Sequence, residues 1–143
     1  MKLNDIKDIA IVGSGVIGYS WALSFAMNGH PVRVYDINDG SLKLAKERIH
    51  ESLVNLAQNK VINPNKIEKI EKRIDYSTSI EKTVEKSKFI VESGPEKYEI
   101  KWSIVEEIEK YASEDAIVAS STSGLLITEI AKNAKHPERF IGA

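Results

Sequence analysis

The hexapeptide Gly13-Ser14-Gly15-Val16-Ile17-Gly18 constrains this chain more than any other stretch. An apolar run, Ile9-Ala10-Ile11-Val12, precedes it, and Tyr19-Ser20-Trp21-Ala22-Leu23-Ser24-Phe25-Ala26 follows. A short buried strand that turns through glycines into a helix accounts for all three parts. In that arrangement Gly13 permits a tight turn, and Gly15 lets the backbone approach a pyrophosphate with no Cβ in the way. Gly18 lets the helix pack close to the strand. The helix then directs its unpaired N–H groups and the positive end of its dipole at the phosphates.

Glycine turns are common, so the flanking residues decide the reading. Asn28-Gly29 closes the helix, Pro31 follows, and Val32-Arg33-Val34-Tyr35 reads as a second strand ending in Asp36. That places an acidic side chain near the roughly 20-residue offset at which it meets adenosine ribose hydroxyls. A carboxylate there accepts both hydroxyls and repels a 2′-phosphate. Ile37-Asn38-Asp39 brings no arginine to neutralise one, so the pattern favours NAD over NADP. The alternatives are a glycine turn of some other α/β protein and an Asp36 that caps the next helix. The second is compatible with ribose binding.

The remaining chain alternates strand and helix. Asn38-Asp39-Gly40-Ser41 offers N-caps for a helix with Leu42, Ala45, Ile49, Leu53 and Leu56 on one face, reaching about Asn59. Asn63-Pro64 starts a second helix through Ile67 and Ile70. The pair reads as a helical hairpin inserted after the second strand, its many charges forming a solvated face. Arg73–Tyr76, Lys88–Glu92 and Ala116–Ser120 read as strands, with helices at Ser79–Glu85, Lys97–Tyr111 and Thr128–Lys135, and a last strand begins in Arg139–Ala143. The pattern is one α/β domain over residues 1–143, a doubly wound, mainly parallel sheet of Rossmann type.

Composition bounds the partners. With 143 residues, 29% charged and a net charge of −1, no basic field points to nucleic acid or an anionic membrane. The absence of cysteine excludes disulfides and thiolate metal sites. Met1–Asp8 carries charges where a signal peptide needs an apolar core, and no apolar run reaches spanning length, so a cytoplasmic protein is expected.

Glu96 and Ser123 stand at the ends of two different strands, on the edge where ligands collect in open parallel sheets. Residue type alone also allows a first-turn glutamate and an ordinary turn serine. His30, His50 and His136 read as surface residues, and no HExxH or GxSxG pattern suggests a metal or a serine nucleophile. The residues offer a cofactor site without an evident acid–base group.

With GSGVIG, the Tyr35-Asp36 strand end, ERIHESL, VESGPEKYEIK, SSTSGL and HPERFIG in order, the chain resembles the NAD-binding half of the 3-hydroxyacyl-CoA dehydrogenase family. The wording of the glycine segment is most similar to the λ-crystallin/L-gulonate 3-dehydrogenase branch, and STSGL is also similar to carnitine dehydrogenases. The resemblance implies oxidation of a secondary 3-hydroxyl by hydride transfer to NAD. It assigns the pyrophosphate to Gly13, Gly15 and Gly18 with the backbone of Val16 and Ile17, and the ribose to Asp36. It further assigns cofactor contacts to Glu96 and Lys101, both cofactor and substrate oxygen to Ser123, and a coenzyme A contact to Ser52. Asn59, Ser121 and Gly124 depart from the family's usual lysine, asparagine and serine, which leaves room for a small hydroxy acid in place of a CoA thioester. The family's catalytic histidine would follow directly after Ile141-Gly142-Ala143, and its helical dimerisation domain after that. The expectation is therefore a homodimeric complete enzyme whose first 143 residues bind NAD without turning over. The alternatives are a stand-alone dinucleotide-binding module or subunit completed by another chain, and a relative that keeps the loop only as scaffold.

Overall fold

The computed structural model describes residues 6–143, so Met1–Asp5, part of the segment that speaks against a signal peptide, lie outside the described residues. Six strands form one sheet: β1 (Ile9–Val12), β2 (Val32–Tyr35), β3 (Ile74–Ser77), β4 (Phe89–Glu92), β5 (Ile117–Ser120) and β6 (Phe140–Gly142). Their order is β3-β2-β1-β4-β5-β6, and every pairing is parallel rather than mainly so.

The β1 run is apolar on both faces because both faces are covered. Ile9 and Ile11 join Val32, Val34 and Val91 on one side, packed by α1 (Val16–Met27), α2 (Asp39–Gln58) and α3 (Ile67–Glu71). Ala10 and Val12 join Ile90 and Val118 on the other, under α4 (Ile80–Val84), α5 (Tyr98–Tyr111) and α6 (Ile127–Ile130). Alternation along each strand thus divides the core into two layers.

Local chemistry explains the helices. In α1 the buried residues are Gly18, Ala22 and Ala26, a small stripe four residues apart that brings the helix close to the sheet. Asn38 caps α2, its Oδ1 accepting from the amides of Gly40 at 2.8 Å and Ser41 at 3.3 Å. Leu42, Ala45, Ile49 and Leu53 form its buried face, as the periodicity requires. The Asn63-Pro64 start yields a 3₁₀ turn, Pro64–Lys66, before α3 completes the hairpin.

One element is shorter than expected. The helix foreseen over Thr128–Lys135 is α6, Ile127–Ile130, followed by turns. The amides of Lys135 and His136 donate to the Glu109 carboxylate of α5, at 2.7 and 3.1 Å, instead of to helical carbonyls. Among the described residues no helix is long and apolar enough to cross a membrane.

Candidate cofactor site at the switch point of the sheet

The parallel register aligns the strand ends. Val12 pairs with Tyr35 and with Glu92, and Glu92 with Ser120, so Gly13, Asp36, Ser93 and Ser121 leave the sheet side by side. Between β1 and β4 the chain order reverses, which is where ligands bind in open α/β sheets.

The glycine turn sits at that reversal. Gly13 has φ +107°, and a Cβ on it would lie 2.6 Å from the Ser93 carbonyl oxygen. A Cβ on Gly18 would lie 1.8 Å from the Gly13 carbonyl oxygen. Both are glycine because the protein's own backbone fills the space. Gly15 differs: it has no positive φ, and a Cβ there would meet nothing within 4 Å. Folding alone does not require that glycine, and the open space before it suits a ligand backed against the main chain. No side chain caps α1 and no acidic residue stands in its first turn, so its first N–H groups are free for an anion. Val16 and Ile17, whose amides lie there, are 66% and 54% exposed.

Asp36 borders this space, held from three sides. Its Oδ2 accepts from the Ser14 hydroxyl at 2.7 Å and the Ser14 amide at 3.1 Å, and its Oδ1 from the Asn38 amide at 3.0 Å. A carboxylate has about four acceptor positions, so capacity remains for a ligand hydroxyl. The α2 cap itself is Asn38. Two clefts meet at Asp36, Gly13, Gly94 and Pro95. One, of about 590 Å³, adds Gly15, Tyr19 and Arg48. The other, of about 660 Å³, is walled by the apolar side chains of Ile37, Ile80, Ile100 and Ile104.

The structure brings Glu96 and Ser123 together although they are far apart in sequence. Glu96 accepts from the Thr122 hydroxyl at 2.5 Å and from the Ser123 amide at 3.1 Å. These bonds, the Thr122 hydroxyl first, hold its carboxyl below the ordinary glutamate range. The loops after β4 and β5 are thereby tied, with the Ser123 side chain exposed beside them.

Two assigned residues stand apart. Lys101 is buried, and its ammonium donates to Glu92 Oε1 and Oε2 at 3.0 and 2.8 Å and to the Gly94 carbonyl at 3.2 Å. Three N–H bonds with three partners account for its donors in this structure. Ser52 donates to the Arg48 carbonyl at 2.8 Å and lines neither cleft.

Sequence reasoning passed over Ser14, Arg48, Thr122 and the buried Glu92. Glu92 had a legible signal, a carboxylate ending the otherwise apolar strand Phe89-Ile90-Val91. Thr122 and Arg48 had none, because their places depend on loop and hairpin packing.

Residues 8–143 match the family profile described as 3-hydroxyacyl-CoA dehydrogenase, NAD binding domain. The chain is 34% identical to L-carnitine dehydrogenase of Oceanobacillus iheyensis over 138 residues, 96% of this chain and 44% of that protein. It is 33% identical to the fatty acid oxidation complex subunit alpha of Idiomarina loihiensis, covering 96% of this chain and 19% of that one. Among solved structures, 3-hydroxybutyryl-CoA dehydrogenase from Escherichia coli K12 superposes with a TM-score of 0.91 at 28% identity, over 96% of this chain and 29% of that one. (S)-3-hydroxybutyryl-CoA dehydrogenase from Ralstonia eutropha gives 0.92 at 29% identity, over 96% and 48%. The chain thus spans less than half the length of each of these relatives. The glycine turn at the switch point and the profile match over nearly every residue agree: this chain belongs to the NAD-binding domain family of the 3-hydroxyacyl-CoA dehydrogenases.

Proposed function

We propose that this chain is the cofactor-holding part of an oxidoreductase that converts a 3-hydroxy acid, or its CoA thioester, to the 3-keto compound. The observation that carries the proposal is the open space in front of Gly15, bounded by the uncapped start of α1 and the fixed carboxylate of Asp36. Gly13, Gly15 and Gly18 with the amides of Val16 and Ile17 hold the pyrophosphate. Asp36 takes the adenosine ribose, and the apolar cleft at Ile37 and Ile100 takes the adenine ring. NAD, when bound, supplies the hydride acceptor. Ser123, next to Glu96 on the loop after β5, holds the reacting oxygen of the substrate.

None of the three histidines lines either cleft. General acid–base help contributes about 10²–10⁴ in rate, so these 143 residues are expected to bind cofactor and to give no NADH from L-carnitine or a 3-hydroxyacyl-CoA. The test is a calorimetric titration with NADH and NADPH, repeated on Asp36→Ala. The expected result is NADH binding that exceeds NADPH binding and weakens by roughly tenfold in the variant, about 1.4 kcal/mol. Equal binding of both nucleotides, unchanged in Asp36→Ala, would remove the ribose assignment, and binding of neither would remove the cofactor reading.

A further inference from the structure

The Ser14 hydroxyl makes a bond that the strand pairing does not need. Parallel pairing already sets Val12 beside Tyr35 at the ends of β1 and β2, and the Gly13 amide donates to the Tyr35 carbonyl at 2.9 Å. The Ser14 amide reaches Asp36 Oδ2 at 3.1 Å whatever side chain that residue carries. Ser14 is nevertheless only 4% exposed, and its hydroxyl donates to the same oxygen at 2.7 Å. An alanine there would keep the backbone bonds and spare the desolvation of a hydroxyl. What the hydroxyl serves is the carboxylate.

Its place in the turn makes it a good anchor. Ser14 stands between Gly13, packed against the Ser93 backbone, and Gly15, which faces open space. Asp36 reaches the cleft on a side chain with two rotatable bonds. The Asn38 amide holds Oδ1 at 3.0 Å and both Ser14 donors hold Oδ2, so the carboxylate is oriented before any ligand arrives. A group held in its binding geometry in advance loses less freedom on binding. Its negative charge is likewise kept at one point of the cleft, where it opposes a phosphate on the ribose 2′ oxygen.

We propose that Ser14 is a positioning residue that sets cofactor choice: its hydroxyl holds the Asp36 carboxylate toward the adenosine ribose, favouring a free 2′-hydroxyl over a 2′-phosphate. The proposal rests on the cofactor reading above, and Asp36 is the residue through which Ser14 acts.

The test measures NADH binding directly and NADPH binding by displacement of NADH. Wild type, Ser14→Ala, Asp36→Ala and the double variant are compared, with thermal melting of each. Both nucleotides carry the same pyrophosphate, so a distorted glycine turn would weaken them equally, whereas a released carboxylate acts only at the ribose. Ser14→Ala should melt within about 5 °C of wild type. It should bind NADH roughly fivefold more weakly, inside the tenfold loss expected for Asp36→Ala. NADPH affinity should hold or rise, so the preference for NADH narrows by at least roughly fivefold. With Asp36→Ala already present, the serine change should alter NADH affinity by less than roughly twofold. Equal loss of both nucleotides, an unchanged preference, or the same loss in the Asp36→Ala background would overturn the proposal. A Ser14→Ala protein that does not fold would overturn it too, by assigning the hydroxyl to the fold. Wild-type NADH affinity in Ser14→Ala would remove the role of Ser14 and leave the cofactor reading standing, whereas a wild type that binds no NADH would remove both.

Discussion

A Cβ on Gly18 would lie 1.8 Å from the Gly13 carbonyl oxygen, whereas one on Gly15 would meet nothing within 4 Å. The two glycines of one motif therefore differ: the fold requires the first, and the second is the one we propose is kept for a ligand. Gly18→Ala forces α1 away from the turn, and overpacking against rigid backbone costs about 3 kcal/mol or more. Thermal melting should show that loss, and an unchanged midpoint would mean that the turn can shift. The need for glycine at Gly13 and Gly18 was legible because it follows from a missing Cβ in a strand–turn–helix sequence. The place of Asp36 at the end of β2 was legible from the strand pattern. That Ser14 holds it through hydroxyl and amide was not, since the contact depends on how β1 and β2 end side by side. Lys101 was marked by resemblance alone. Only the packed structure shows its three bonds spent on Glu92 and Gly94.

Strands and long helices were readable where one physical signal dominates, as in the Asn38 cap and apolar face of α2. Prediction failed where a distant side chain competes for backbone. Glu109 takes the amides of Lys135 and His136, at the far end of the helix foreseen there. The loops after β4 and β5 are joined in the same long-range way, through Glu96 to Thr122 and Ser123. That tie is pH-dependent with a definite sign. The folded state holds the Glu96 carboxyl below its ordinary value, so the stabilisation is complete above the unfolded glutamate range near about 4.3 and is lost as pH falls through the lower folded value. An acid titration followed at the Ser123 amide by NMR should show a transition below the ordinary glutamate range that Glu96→Gln abolishes. A transition that persists in Glu96→Gln would assign it to another carboxylate.

At the scale of the whole molecule, the six-stranded parallel order puts the chemistry on one edge. Reversal between β1 and β4 opens a groove there, and the register brings the glycine turn, Asp36 and the Ser93–Glu96 loop to its sides. Alternation of strand and helix announced this architecture, while the width of the groove depends on contacts no local pattern encodes. The central claim is that this edge is built for a dinucleotide and that Gly15 is reserved for it. The most direct measurement is NADH titration of Gly15→Val beside wild type, with thermal melting of both. The account predicts a variant that melts within about 5 °C of wild type, the modest cost of valine at a helix N-cap, and binds NADH at least roughly a hundredfold more weakly. A variant that keeps wild-type affinity would contradict the account, as would one whose melting midpoint falls as far as that expected for Gly18→Ala.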